Sequence, residues 1–336
     1  MFDLLKEASP SLMAWLFEEG TSSSEKAGTV IIREGIVSEY VLLMLEGEVA
    51  INTTDQNGEQ QCLAVLKKGS IIGEMSWLEQ RPAVANVVTK TTSKILYLNF
   101  ETLDLLSKAD LDLAAEWQRL IAKKLSAQIQ SQNAWIHRYE GPGGDIEPLR
   151  KVLILFAELD DQDVDTLARL GALRRVHPAG TLIQQGQQVP SIFLILAGEA
   201  DILVEINGVK KKVGSSRRGE LLGELTLLSN DIQGATATVQ SADGMELLEI
   251  NKIALENTLL EEPDLANRFF RSLSCMLSQR SRDQLLARQL ATRSQGAESS
   301  EDNDELDLTQ LGGINRAGQR FNALCKKFQS DGSVGI

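Results

Sequence analysis

Histidine is almost missing from this chain: its 336 residues include only His137 and His177. No HExxH or HxH spacing is present, so zinc sites and Ser-His-Asp chemistry have almost nothing to work with. Cysteine is nearly as scarce. Cys62, Cys275 and Cys325 lie far apart, and an odd, scattered set gives neither a disulfide framework nor a CxxC metal site. With no visible nucleophile–base constellation, the composition predicts a protein that is not an enzyme. No apolar run approaches the ~20 residues that span a bilayer, which predicts no integral membrane contact. The first residues, MFDLLKEASPS, lack the basic and apolar regions of a signal peptide, so a cytoplasmic protein is expected. Positive charge is also in short supply: 34 Lys and Arg stand against 47 Asp and Glu, for a net charge of −13. This counts against a general nucleic-acid partner, because phosphate neutralisation needs clustered cations. It counts equally against an anionic membrane surface.

What is present is ordinary for a globular chain, 43% hydrophobic and 24% charged, of a length that suggests two or three domains. The chain also repeats itself. GTVIIREG at Gly28–Gly35 returns as GTLIQQG at Gly180–Gly186, and LLMLEGEVAI from Leu42 returns as FLILAGEADI from Phe193. KKGSIIGEMSWL from Lys67 returns as RRGELLGELTLL from Arg217, and DLAAEWQRLIAKKL from Asp112 as DLANRFFRSLSCML from Asp264. The offset stays between 150 and 152 throughout, which marks a duplication.

Each copy opens with a short helical stretch, Ser11–Glu19 or Asp161–Leu170. Short β-branched runs punctuated by glycine follow, the pattern of a barrel or sandwich. Each copy then closes with a helix. Leu113, Trp117, Leu120, Ile121, Leu125 and Ile129 share one face in the first copy; Leu265, Phe269, Leu273, Met276 and Leu277 do so in the second. The joint YEGPGGDIEP, Tyr139–Pro148, reads as a linker. The expected organisation is therefore domain one over 1–140, domain two over 141–292, an acidic disordered linker over 293–312 and a tail helix over 313–336. In that tail Ile314, Ala317, Phe321, Leu324 and Phe328 recur at spacings of 3 and 4, beside Arg316, Arg320, Lys326 and Lys327. A basic amphipathic helix of this kind docks into a partner groove, folds back on its own domain or lies on a membrane surface.

The glycine pattern together with Gly-Glu-x-x-x-Leu makes each copy resemble a cyclic nucleotide-binding domain, the module of kinase regulatory subunits, channels and catabolite-activator-type regulators. The resemblance implies two tandem β jelly rolls, mainly β with flanking α-helices. It also implies a phosphate-binding cassette whose glutamate accepts from a ribose hydroxyl and whose arginine holds the phosphate. On that pattern Gly73 and Glu74 match in the first copy and Gly223 and Glu224 in the second. Ala83 stands in the arginine's place, with Asn86 at a following position and Arg81 two residues early as an alternative cation. In the second copy either Gln233 or Ala235 takes that place, depending on where two extra residues fall, and Thr238 follows. Losing a charged hydrogen bond and leaving a buried charge unpaired weakens binding on the order of ten- to a thousandfold.

Bound cAMP or cGMP is therefore expected to be weak, and no cofactor is assigned. Trp77 is expected to be core, the alternatives being a pocket plug or a base-stacking platform. Two functions compete. One is a regulatory or scaffolding protein that binds a protein partner, or forms a homo-dimer or higher oligomer, through the tail or the closing helices. The other is a working cAMP or cGMP sensor that relays binding through those helices. A catabolite-activator-like transcription factor is not expected, because the 44 residues after Thr292 begin with an acidic stretch and leave too little chain for a winged helix.

Overall fold

A computed structural model of the chain describes residues 2–54, 60–136, 149–206, 208–228, 234–293 and 308–330. His137, the Tyr139–Pro148 joint, Gln233 and the acidic stretch 294–307 lie outside the described residues. The first copy runs α1 (Leu4–Glu7), α2 (Pro10–Glu19), β1 (Thr21–Glu25), β2 (Val30–Ile32), β3 (Tyr40–Glu46), β4 (Glu48–Thr54), β5 (Gln60–Lys67), β6 (Ile71–Ile72), α3 (Glu74–Glu79), β7 (Asn86–Thr89), β8 (Ser93–Asn99), α4 (Phe100–Ala109) and α5 (Leu111–Ile136). The second runs α6 (Leu149–Glu158), α7 (Asp161–Leu170), β9 (Gly171–Val176), β10 (Thr181–Ile183), β11 (Ser191–Ile206), β12 (Val209–Arg217), β13 (Leu221–Leu222), α8 (Glu224–Leu228), β14 (Thr238–Asn251), α9 (Lys252–Glu261) and α10 (Pro263–Arg293). The tail is α11 (Leu308–Ser330).

In the first copy two antiparallel sheets, ordered β1-β8-β3-β6 and β2-β7-β4-β5, enclose a core. Ile32, Val49 and Val87 come from one sheet, and Met44, Ile72 and Ile95 from the other. Period-two alternation along each strand turns these aliphatics inward, and the strand order is that of a jelly roll. The second copy repeats the arrangement with longer strands. β11 covers the positions of both β3 and β4, and β14 those of β7 and β8, so six strands count as one sheet. The corners that break strands in the first copy appear here as register shifts at Ile195/Ala197 and Gly198/Ala200. The helix after the last strand is capped alike in both copies. Asn99 Oδ1 accepts from the Glu101 amide at 2.8 Å, and Asn251 Oδ1 from the Ile253 amide at 3.0 Å.

The chain forms two compact units that are not consecutive in sequence. Met1–Gln132 with Leu277–Ser300 make the first, and Asn133–Met276 with Glu301–Ile336 the second. The last turns of α10 therefore belong to the first unit and α11 to the second.

Of the alternatives that its spacing leaves open, the tail packs against α6 and α7 of its own unit. Its helix begins at Leu308, before residue 313, because Leu308 and Leu311 extend the apolar spacing backwards. Phe321 and Leu324 are buried with Ala317 and Cys325 in the second unit. The Phe321 ring packs 5.1 Å from that of Phe156 and lies under the Arg218 guanidinium at 4.9 Å. Arg320 donates to Asp161 Oδ1 at 2.7 Å and to the Phe156 carbonyl at 3.2 Å, and Lys327 pairs with Asp165. An apolar helix face needs a cover, and α6 and α7 supply it. Arg316 stays exposed, Phe328 is half-buried, and the Ile314 side chain lies outside the described residues.

Candidate functional site

The first cassette starts where β6 pairs with β3, Leu42 opposite Ile72, and hands the chain to Gly73. Gly73 has φ +89°, and a Cβ there would lie 2.8 Å from the Tyr40 carbonyl oxygen. Only glycine fits both conditions. Glu74 then opens α3 and is 2% exposed. A carboxylate this buried needs a counter-charge, and Lys124 of α5 supplies it. The Lys124 ammonium donates to Glu74 Oε1 and, at 2.6 Å, to Gln128 Oε1. Trp77 is fully buried on the helical side: its Nε1 donates to Asp104 Oδ1 at 3.0 Å, and its ring lies 6.3 Å from that of Trp117. It is a core residue.

Beyond α3 the loop passes the half-buried Arg81 and reaches Ala83. The Ala83 amide donates to the Ile36 carbonyl at 3.0 Å, and its carbonyl accepts from Gly35 at 2.9 Å. Asn86 Oδ1 accepts from the Glu34 amide at 3.1 Å. Ala83 and Asn86 thus tie the loop to the β2–β3 turn.

The second cassette repeats the backbone. Gly223 has φ +81°, and a Cβ there would lie 3.0 Å from the Ser191 carbonyl. Glu224 is 3% exposed. Ala235 exchanges backbone hydrogen bonds of 2.8 Å with Gly186 and Gln187, and Thr238 Oγ1 accepts from the Gln185 amide at 3.1 Å. These are the partners of Ala83 and Asn86 shifted by the repeat. The register therefore gives the arginine's place to Ala235, and the extra residues fall before it.

The neighbouring cation differs between copies. Lys252, the first residue of α9, is buried; its ammonium donates to the Val189 carbonyl at 2.5 Å and to Thr226 Oγ1. Burial pushes the Lys252 pKa down to about 8, with Glu224 and Glu256 partly offsetting the effect.

The cyclic nucleotide-binding domain family matches this chain twice, over residues 24–110 and 173–262, together about half of its length. The chain belongs to the cyclic nucleotide-binding domain family. It is 25% identical over 252 residues to a cAMP-dependent protein kinase regulatory subunit of Schizosaccharomyces pombe, covering 71% of this chain and 53% of that one. It is 24% identical over 256 residues to the regulatory subunit of the same name from Mucor circinelloides, covering 76% and 51%. The chain thus spans about half the length of these curated relatives. Among solved structures, the regulatory domain of Toxoplasma gondii PKA with cAMP is 17% identical, covering 78% of this chain and 88% of that one with a TM-score of 0.30. The regulatory subunit of a cAMP-independent protein kinase A from Trypanosoma brucei is 19% identical, covering 75% and 80%, with a TM-score of 0.30.

Within the two cyclic nucleotide-binding domains, Gly-Glu, the alanine and the Asn or Thr named from sequence gather at each cassette. Gln233 lies outside the described residues. Sequence reasoning missed Lys124, Lys252 and a third cation, Arg282 of α10. A signal existed for the lysines in the offset of 152. Lys252 stands where the first copy has the buried Phe100, and Lys124 where the second has the buried Met276. A lysine opposite a core residue marks a buried charge.

Proposed function

We propose that this is a regulatory protein without catalytic chemistry, whose two cyclic nucleotide-binding domains are kept as folded modules for protein contact rather than as strong nucleotide receptors. The observation that carries this is shared by both cassettes. An alanine stands in the phosphate arginine's place, at Ala83 and Ala235; in the first cassette, in addition, Lys124 pairs with the glutamate that would meet a ribose. A cyclic phosphate entering either cassette meets no matching guanidinium from the arginine's own position, and in the first cassette the ribose hydroxyl competes with the Lys124 ammonium for a buried carboxylate. The names of the curated relatives support a regulatory role and point to a protein kinase as the class of partner. Self-assembly is the other contact this reading accommodates.

Titration calorimetry of cAMP and cGMP against the full chain tests it. The loss of the arginine fork puts the expected dissociation constants on the order of a millimolar. Sub-micromolar binding of either nucleotide would overturn the reading in favour of a sensor.

A further inference from the structure

Glu79 closes α3 with its side chain 3% exposed. Its carboxylate is held from α10, by the part of that helix that belongs to the first unit. The Ser278 hydroxyl donates to Oε1, and Arg282 Nε donates to Oε2 at 2.6 Å. Arg282 Nη1 donates in addition to the Pro82 carbonyl at 3.0 Å, one residue before the arginine's lost place at Ala83. The Arg282 side chain is itself 7% exposed.

Ser278, Ser281 and Arg282 lie at i, i+3 and i+4 and share a helix face. On that face Ser281 Oγ accepts from Gln128 Nε2 at 2.7 Å and donates to Gln132 Oε1 at 3.2 Å. The contact includes a buried charge pair and hydrogen bonds to side chains and to the Pro82 carbonyl. Aliphatic contacts tolerate sliding, but a buried charge fork is satisfied in one register and leaves two desolvated ions in any other. Between the two points that Arg282 grips, Gln80 has φ +51°. A residue other than glycine holds that conformation where its surroundings over-determine it.

We propose that Arg282 is a positioning residue that latches the first cassette. From outside the copy it sets the path of Glu79–Pro82 in place of a bound ligand, and displacing the last turns of α10 releases the segment Gly73–Ala85. The latch rests on the reading that this cassette keeps its fold without a strongly held nucleotide. Its test uses neither nucleotide nor partner, so its failure is distinct from a positive calorimetric result.

Hydrogen–deuterium exchange on the full chain reads it directly. Arg282→Ala should speed exchange of amides in Gly73–Ala85 by about a hundredfold or more, while β14 keeps its protection. Arg282→Lys, which retains the charge without the fork, should fall between the two. Should Arg282→Ala fail to fold, Glu79→Gln removes one charge at nearly constant shape and should loosen the same segment roughly tenfold. Unchanged protection of Gly73–Ala85 in the folded variant would overturn the latch. So would an equal loss in β14, which would mark a general loss of stability.

Discussion

In the first cassette the buried Glu74 takes its counter-charge from Lys124, on α5; in the second the buried cation is Lys252, at the start of α9, which feels the Glu224 charge while its ammonium is bonded to the Val189 carbonyl and Thr226 Oγ1. The exchange is reciprocal, since each lysine stands opposite a buried apolar residue of the other copy, Met276 and Phe100. The backbone devices are unchanged: a left-handed glycine against a strand carbonyl, and an alanine paired with the β2–β3 or β10–β11 turn. Backbone conformation admits one solution at these points, whereas a counter-charge has only to come within reach of the carboxylate. The duplicated fold has fixed the former and left the latter free.

The comparison breaks most visibly if one cation is removed. Lys124→Met leaves Glu74 buried and unpaired, and the first unit should lose about 3–5 kcal/mol. Trp77 and Trp117 are buried in that unit, so urea unfolding followed by tryptophan fluorescence reports on it. Lys252→Met should cost less, about 1–3 kcal/mol, because the amine it removes is already half-way to neutrality near pH 8. The double variant Lys124→Met with Glu74→Gln should recover most of the loss. Equal costs for the two lysine variants would mean that the copies solve the problem in the same way.

The legibility of these features in the sequence follows the distance over which each is decided. The barrel-or-sandwich pattern and the duplication were readable, because glycine-punctuated β-branched runs and repeated segments are written in the sequence itself; the jelly rolls and the Gly-Glu turns followed from the resemblance to cyclic nucleotide-binding domains. The arginine's absence was equally plain at Ala83. In the second copy only the hydrogen bonds of Ala235 with Gly186 and Gln187 settled which residue takes its place. The cations were hidden. Lys124 meets Glu74 across 50 positions and Arg282 meets Glu79 across 203, and helical periodicity reads each of them as a solvated charge. The tail shows the same limit: its spacing announces an amphipathic helix, but nothing in it names α6 and α7 as its cover.

The two glycines sharpen the comparison at a smaller scale. Alanine at either position meets a positive φ, and strain of this kind costs about 1–3 kcal/mol. Gly73→Ala should sit at the upper end, since its Cβ would come 2.8 Å from a carbonyl oxygen, against 3.0 Å for Gly223→Ala. Thermal unfolding of the two variants measures the difference. A costless change at Gly73 would show that the Tyr40 carbonyl gives way, and that the backbone is no more fixed than the charges.

The smallest effect is the most specific to the second copy. The Lys252 pKa falls from 10.5 to about 8 on folding. Between these values the unfolded chain binds the proton and the folded chain does not, so stability rises with pH across that interval. Below pH 8 the amine is charged in both states, and the penalty for burying it is present in full. The gain should be on the order of 1–2 kcal/mol, because the amine keeps partial contact with water. Urea midpoints followed by circular dichroism at pH 7.5 and 9.5 should therefore show wild type gaining on Lys252→Met as pH rises. Parallel profiles would mean that Lys252 folds with its charge as fully solvated as in the unfolded chain, and the electrostatic distinction between the cassettes would disappear.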